Sequence, residues 1–405
     1  MALGSTLLVA AFLALAVAAN PVRVDKPVVS LPMIRRTNSS RFDNLLAKDQ
    51  ARARHLKDRA QGKLAGRAAS VDATNLVDTY VVSVGVGDPA TYYSLLVDTG
   101  SSNTWLGANK SYVKTSTSSD TGETVSVTYG SGDFSGEEYT DTVTLGDGLT
   151  ITQQSIGVAS SSSGFDGVDG ILGVGPTDLT EGTLGDSDAT IPTVTDNLYS
   201  QGTISTEVLA VSFEPTTSDS VTNGELTFGG TDSSKYTGSI TYVSLTSTSP
   251  ASEYWGIDES ISYGSESILS STAGIVDTGT TLVLIATDAY NKYVSATGAT
   301  EDESTGLLRI SSSQYSNLET LSFDIGGTTF GLTANAQIWP RSLNTAIGGS
   351  ADDIYLVVSD IGSESGSGLD FINGYAFLER FYSVFDTTNS QVGFAETSYT
   401  SATTN

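Results

Sequence analysis

The order of apolar and polar positions divides the chain into three stretches. Residues 1–19 form an almost unbroken apolar run, MALGSTLLVAAFLALAVAA, ending in small residues. Ala16, Val17 and Ala18 make an A-x-A-like cleavage site. The run is short for a membrane span, so it reads as a secretory signal peptide. Residues 20–67 are polar and basic, and Ser40–Leu64 has helix-forming composition, with Leu45, Leu46 and Leu56 set among charges. From about residue 68 the pattern turns strand-like. Val81–Val86 is apolar and β-branched, Gly87-Asp88-Pro89 turns, and Tyr93–Val97 is a second strand. Val125, Val127 and Tyr129 alternate with polar residues and meet Gly130-Ser131-Gly132, a hairpin signal. Two helices interrupt this pattern. One is Thr190–Ser200, opened by a capping Thr with Pro in its first turn; the other is Thr287–Ser295. The Ser/Thr-rich stretches at 115–119, 160–163 and 216–222 read as surface loops. The expectation is an all-β protein with a few short helices.

An internal repeat organises the third stretch. Leu95-Leu96-Val97-Asp98-Thr99-Gly100-Ser101-Ser102 returns as Gly274-Ile275-Val276-Asp277-Thr278-Gly279-Thr280-Thr281, 179 residues later. Each copy sits near the start of its half, which predicts two related lobes, 68–245 and 246–405. A third Asp-Thr-Gly, at Asp120-Thr121-Gly122, follows Ser118-Ser119 instead of an apolar strand and reads as an ordinary turn.

Composition narrows the chemistry. There is no Cys, and the one His is His55, inside the basic stretch. Disulfides, thiolate nucleophiles and thiolate metal sites are excluded, and beyond the basic stretch so is histidine catalysis. The formal net charge is −27, which makes a poor partner for nucleic acid or an anionic membrane. That charge is uneven: of 19 Lys and Arg and 46 Asp and Glu, residues 1–70 hold twelve and four, leaving seven and forty-two for the rest. A basic segment ahead of an acidic body reads as a propeptide held by charge; a solvated basic tail is the alternative.

Acid–base chemistry then falls to carboxylates. Two Asp side chains about 3 Å apart cannot both ionise, so such a pair holds one proton over a broad acid range. The ionised member can take a proton from a water between them while the protonated member bonds the carbonyl under attack. An amide is cleaved this way without a metal, a cofactor or a covalent intermediate. The glycine after each Asp-Thr permits close backbone approach and frees N–H groups for the carboxylates. Ser101 and Thr280 can donate to the outer carboxylate oxygens, and the Thr hydroxyls can lock the two loops together.

With these motifs in place, most of the chain from about residue 68 to 400 resembles the pepsin-like aspartic endopeptidases, in particular the cysteine-free type secreted by basidiomycete fungi. The resemblance implies a bilobal β fold with a central cleft. It implies Asp98 and Asp277 as the catalytic pair and Tyr129 as a flap tyrosine over the substrate. Trp105 would hydrogen-bond that tyrosine, and Thr99 and Thr278 would interlock beneath the pair. Gly100, Gly130, Ser131, Gly279 and Thr280 would hold the substrate chain by backbone or hydroxyl groups. Asp169-Gly170-Ile171-Leu172-Gly173 would pack behind the first catalytic loop. It further implies protein and peptide substrates, the chain's own propeptide as inhibitor, and an extracellular enzyme. One chain supplies both aspartates, so a monomer suffices.

Three features depart from the family pattern. Phe371-Ile372-Asn373-Gly374 carries Asn373 where an aliphatic residue is usual, with Tyr375 after it, which bears on packing. Ser131 stands where many fungal relatives have Asp, and Asp133 points elsewhere by hairpin alternation; this implies a preference for bulky apolar residues and weak cleavage after Lys. The basic segment matches known propeptides loosely, so no inhibitory lysine is assigned; cleavage is expected near Arg67–Ala69. Asn109-Lys110-Ser111 and the site at Asn38 are glycosylation sequons. A non-catalytic secreted protein that binds peptides or a cell wall is the competing reading. The presence of both aspartates, both glycines and Tyr129 argues against it.

Overall fold

The computed structural model describes residues 28–37, 45–62 and 78–405, apart from 131, 147, 186–188 and 219. The expected signal peptide, Asn38, the cleavage region Arg67–Ala69 and Ser131 lie outside the described residues.

Strands dominate, in two principal sheets. The larger has thirteen strands. It runs from Thr237–Ser244 through Gln391–Glu396, Phe381–Asp386, Val208–Ser212, Ser220–Phe228, Val29–Thr37, Asp78–Val86 and Thr91–Asp98. It continues through Gly170–Gly173, Thr104–Leu106, Leu149–Ser163 and Gly132–Gly146 to Ser119–Tyr129. The smaller orders Thr328–Leu332, Leu321–Ile325, Gly256–Tyr263, Glu266–Val276, Phe371–Asn373, Val283–Ile285 and Val358–Asp360.

The sequence repeat reappears as a repeated strand arrangement. In one sheet Thr91–Asp98 pairs antiparallel with the strand before it and parallel with Gly170–Gly173, which pairs antiparallel with Thr104–Leu106. In the other, Glu266–Val276 pairs antiparallel with Gly256–Tyr263 and parallel with Phe371–Asn373, which pairs antiparallel with Val283–Ile285. The strand ends nearest the two aspartates are buried on both faces, with no exposed position in Leu95–Asp98 or Ala273–Val276. Leu95, Val97, Leu172, Val276 and Val283 belong to one apolar cluster. The halves also interlock: Phe381–Asp386 joins the larger sheet beside Val208–Ser212, and the Trp255 indole donates to Val174 O at 3.2 Å.

The basic segment is part of this fold. Val29–Thr37 lies inside the larger sheet between Ser220–Phe228 and Asp78–Val86. Its Arg35 is buried against Glu379 at 2.8 Å. Helix Leu45–Ala60 occupies the middle of the expected Ser40–Leu64. Leu45, Asp49, Arg52, Ala53 and Leu56, at helical spacing, form its buried face. Lys57 and Arg59 close the last turn, where positive charge suits the helix dipole.

Several local expectations change. The helix expected from Thr190 is Val194–Ser200. Thr193 is its cap, with a capping box to Asp196, so Pro192 precedes the cap and lies outside the first turn. Asp120-Thr121-Gly122 is a bulge within strand Ser119–Tyr129; Gly122, at φ +79°, donates to Asp120 Oδ1 at 2.9 Å. Ser161–Ser163 and Ser220–Thr222 are strand ends with paired backbones, whereas 115–118 and 216–218 are loops as expected. The Asn109 amide nitrogen donates to Phe165 O at 2.8 Å and to Val168 O, which ties up the atom a glycan would take.

Candidate active site

Asp98 ends strand Thr91–Asp98, and Asp277 directly follows Glu266–Val276. The two carboxylates are fully buried where the sheets meet. Each is held by its own loop in the same way. Gly100 N–H donates to Asp98 Oδ1 at 2.9 Å and Ser101 Oγ to Oδ2 at 2.6 Å. Gly279 N–H donates to Asp277 Oδ1 at 3.0 Å and Thr280 Oγ1 to Oδ2 at 2.5 Å. The exposed third copy makes the same Gly-to-Asp bond, so the local loop alone does not make a site; burial against a second copy does.

The two loops are tied across the interface. Thr99 N–H donates to Thr278 Oγ1 and Thr278 N–H to Thr99 Oγ1, both at 3.0 Å. Each hydroxyl then donates to the opposite strand, Thr99 to Val276 O at 3.2 Å and Thr278 to Val97 O at 2.9 Å. All the polar atoms of this grip are paired, which a buried polar network needs to be stable. The glycines are sterically required: a Cβ on Gly100 would lie 2.7 Å from Asp277 Oδ1, and one on Gly279 would lie 2.5 Å from Asp98 Oδ1.

Arg52, on the buried face of helix Leu45–Ala60, enters between the carboxylates. Its Nε donates to Asp277 Oδ2 at 2.6 Å; its Nη2 donates to Asp98 Oδ1 at 2.5 Å and Asp277 Oδ1 at 2.9 Å. Burial pushes the Asp98 carboxyl up, against the pull of Arg52, and the neighbouring Asp277 charge adds to the rise. Burial pushes Asp277 the same way, but the Arg52 charge and bonds with those from Thr280 and Gly279 prevail and hold it below the usual carboxylate range. Arg52 itself is raised by both carboxylates, although burial opposes this.

The rest of the helix is fastened around that clamp. Thr281 and Leu282 N–H groups donate to the Asp49 carboxylate at 3.1 and 2.8 Å. Gln50 reaches Asp360 O at 2.8 Å, Arg59 reaches Leu179 O, and Tyr254 donates to Leu56 O at 2.8 Å. Leu45, Leu46, Ala53 and Leu56 share an apolar cluster with Leu179, Tyr254, Leu282 and Trp339. The hairpin of Tyr129 covers this arrangement: a Cβ on Gly130 would lie 2.1 Å from Arg52 Cα.

Trp105 and Tyr129 come together, rings 6.5 Å apart and 29° from parallel, with Phe134 stacked on Trp105 at 4.2 Å. The hydrogen bond expected between them acts on the Tyr129 phenol, holding it lower than burial alone would, though its geometry is looser than that of a well-formed bond; the helix backbone fills the space beneath the hairpin turn. Burial and the Asp98 charge raise the Tyr129 phenol. Gly170–Gly173 packs behind Asp98 as expected, and Asp133 is exposed, taking the Ser163 hydroxyl at 2.6 Å. Asn373 is accommodated by a residue the sequence reading passed over: its amide donates to buried Glu259 at 2.8 Å. Arg52 was passed over too. Both carried a signal, a charge on the inward face of an amphipathic element: Arg52 among Leu45, Ala53 and Leu56, and Glu259 among Ile257, Ile261 and Tyr263.

Among the described residues no cluster of three or more His, Asp or Glu could hold a metal ion. Nor, among the described residues, is any helix long and apolar enough to cross a membrane.

Comparison with known proteins agrees with this geometry. The eukaryotic aspartyl protease family model matches residues 79–397. Polyporopepsin from Irpex lacteus is 74% identical over 340 residues, 84% of this chain and all of the relative. Pepsin A from Bos taurus is 32% identical over 341 residues, 79% of this chain and 85% of the relative. The crystal structure of an aspartic proteinase from Irpex lacteus superposes with a TM-score of 0.81 at 65% identity, covering 94% of this chain and the whole of that one. The chain belongs to the eukaryotic aspartyl protease family and is a pepsin-like aspartic endopeptidase.

Proposed function

We propose that this chain is a secreted zymogen whose dyad, Asp98 and Asp277, hydrolyses peptide bonds in acid once the segment bearing Arg52 leaves. The observation that carries the reading is the single guanidinium bonded to both carboxylates at once. A cation in that position fills the place of the attacking water and the scissile carbonyl, and it pulls both carboxyls toward the ionised form, prevailing at Asp277, when one must be protonated for catalysis. The family match begins at residue 79, beyond the basic segment, which supports treating that segment as an addition to the catalytic body.

With Arg52 gone, the dyad would share one proton and titrate as a unit. The ionised member takes a proton from water as the oxygen attacks. The protonated member bonds the carbonyl oxygen, and the proton taken from water passes to the leaving amine as the C–N bond breaks. Gly279 and Thr280 on one side and the Gly130 turn on the other would grip the substrate backbone. Ser131 in place of Asp leaves no carboxylate there for a basic side chain. Bulky apolar residues at the scissile bond should therefore be cleaved faster than Lys in a competition between matched peptides; faster cleavage after Lys would overturn this specificity.

The acid dependence follows from linkage. Asp277 sits below its ordinary value in the docked state, so its pairing with Arg52 holds above about pH 4 and is lost as pH falls through the lowered value. His55 is partly buried, and burial and then the Arg59 and Arg52 charges push it down to about 4. Between about pH 6.5 and that value a released segment binds a proton that the docked one refuses, so docking weakens as pH falls. Asp49 acts in the opposite sense: burial raises it to about 6, so its contribution grows as pH falls through that range. His55→Gln should therefore shift the midpoint of activation to lower pH, by roughly half a unit. The check is the onset of peptide cleavage in an acid titration of the full chain; an unmoved midpoint would remove His55 from the trigger. The reading as a whole is tested by acidifying the full chain. Loss of the segment should accompany the gain of activity, and a chain that stays intact and inactive after hours at low pH would require another protease to activate it.

A further inference from the structure

The register of the two catalytic strands puts the halves of the molecule in correspondence. In the first, Val97 pairs with Leu172 and Tyr93 with Val84; in the second, Val276 pairs with Asn373 and Thr272 with Glu259. Leu172 and Val84 are fully buried in the main apolar cluster. Their counterparts Asn373 and Glu259 are as deeply buried, 0% and 1% exposed, so a polar pair stands where the other half has an apolar one.

That pair is half satisfied as an ionised carboxylate and an amide. Asn373 Nδ2 donates to Glu259 Oε2 at 2.8 Å, which leaves Glu259 Oε1 and Asn373 Oδ1, both acceptors, buried without partners. Among the described residues no cation offsets the carboxylate. The flanking strands oppose it with Thr272 and Ile325. The nearest acids along these strands, Asp258 and Asp324, are exposed and take the Thr246 and Thr329 hydroxyls. The Asp277 carboxylate is turned to Arg52. One proton on Oε1 would supply both orphaned acceptors at once, since a carboxylic acid and a primary amide can close a ring of two hydrogen bonds.

We propose that Glu259 is held protonated, donates through Oε1 to Asn373 Oδ1, and so acts as a positioning residue for Asp277. The link to the site is direct: Asn373 O accepts the Asp277 N–H at 3.2 Å. Burial, opposed by the Asn373 bond, pushes the Glu259 carboxyl up to about 8, so the ring survives throughout the acid range and opens above it.

The mechanistic part rests on Asp277 being catalytic; the proton itself does not, so the two are tested separately. The infrared difference between the full chain and Glu259→Gln at pH 6 should contain a protonated-carboxyl carbonyl band from the wild type, and that band should fade as pH rises through about 8. A difference containing an ionised carboxylate at pH 6 would overturn the assignment. In the activated enzyme, Asn373→Leu should lower kcat roughly tenfold with little change in KM, and Glu259→Val with Asn373→Leu should recover most of it, because the double variant installs the other half's apolar pair. If Asn373→Leu alters only thermal stability, with kcat per folded molecule unchanged, the positioning role is wrong.

Discussion

Asp98→Asn and Asp277→Asn each lower kcat of the activated enzyme by about 10⁴-fold, and the double variant is little worse than either. The two aspartates act on one water and one carbonyl, so removing either member ends the shared proton chemistry. Asn is close to isosteric. Its carbonyl can still accept from Gly100 or Gly279, and the Ser101 or Thr280 hydroxyl can turn to accept from its amide. The cross-bonded Thr99 and Thr278 remain untouched, so both variants should fold. Steady-state cleavage of a peptide with matched folded concentrations measures the effect. A tenfold loss or less in either variant would mean that the carboxylate is supporting structure and that the nucleophilic water is activated elsewhere.

Arg52→Met removes the latency of the full chain. In the docked state it leaves two buried carboxylates facing each other without their cation, and breaking a buried pair from one side typically costs about 3–5 kcal/mol. Latency of that origin should fall by on the order of 10²–10⁴. The variant should therefore cleave peptide at about pH 5.5 within the first minutes after dilution, where the wild type is silent. Helix Leu45–Ala60 should become susceptible to an added protease at the same time. Arg52→Lys should fall between, because an ammonium on a flexible stem cannot reproduce three fixed bonds to two carboxylates. A variant as latent as the wild type would show that the apolar contacts of Leu45, Leu46 and Leu56, with the Asp49 and Gln50 bonds, suffice to hold the segment.

What was legible in the sequence, and what was not, follows from how each feature is encoded. The paired Asp-Thr-Gly loops could be read because sequence repetition translated directly into strand repetition: Asp98 ends, and Asp277 directly follows, equivalent strands with equivalent parallel partners. The Gly170–Gly173 strand was legible for the same reason. The helix of the basic segment was visible in its composition, but its inhibitory residue was not. Arg52 is defined by a contact 225 residues away in sequence, and nothing local distinguishes it from Arg54 or Lys57 except the face it shares with Leu56. Asn373 could be recognised as out of place, yet its explanation, Glu259, lies 114 residues upstream on another strand. Of the serine and threonine stretches expected as loops, 115–118 and 216–218 are loops, while Ser161–Ser163 and Ser220–Thr222 are paired strand, because those residues also suit strands with one solvated face. The third Asp-Thr-Gly shows the converse. It reproduces the glycine-to-aspartate bond, though not the hydroxyl bond, and lies exposed on an edge strand; only the second copy and the burial turn that loop into a site.

The central claim is that the buried aspartate pair is an acid-operated peptidase centre masked by Arg52. The most direct measurement is cleavage of a denatured protein by the acid-activated chain across about pH 2–7, with and without pepstatin. The account predicts cleavage confined to the acid side, abolished by the inhibitor, and absent from the full chain before activation. A folded, activated chain that cleaves nothing at any pH, or whose cleavage is indifferent to pepstatin, would contradict it.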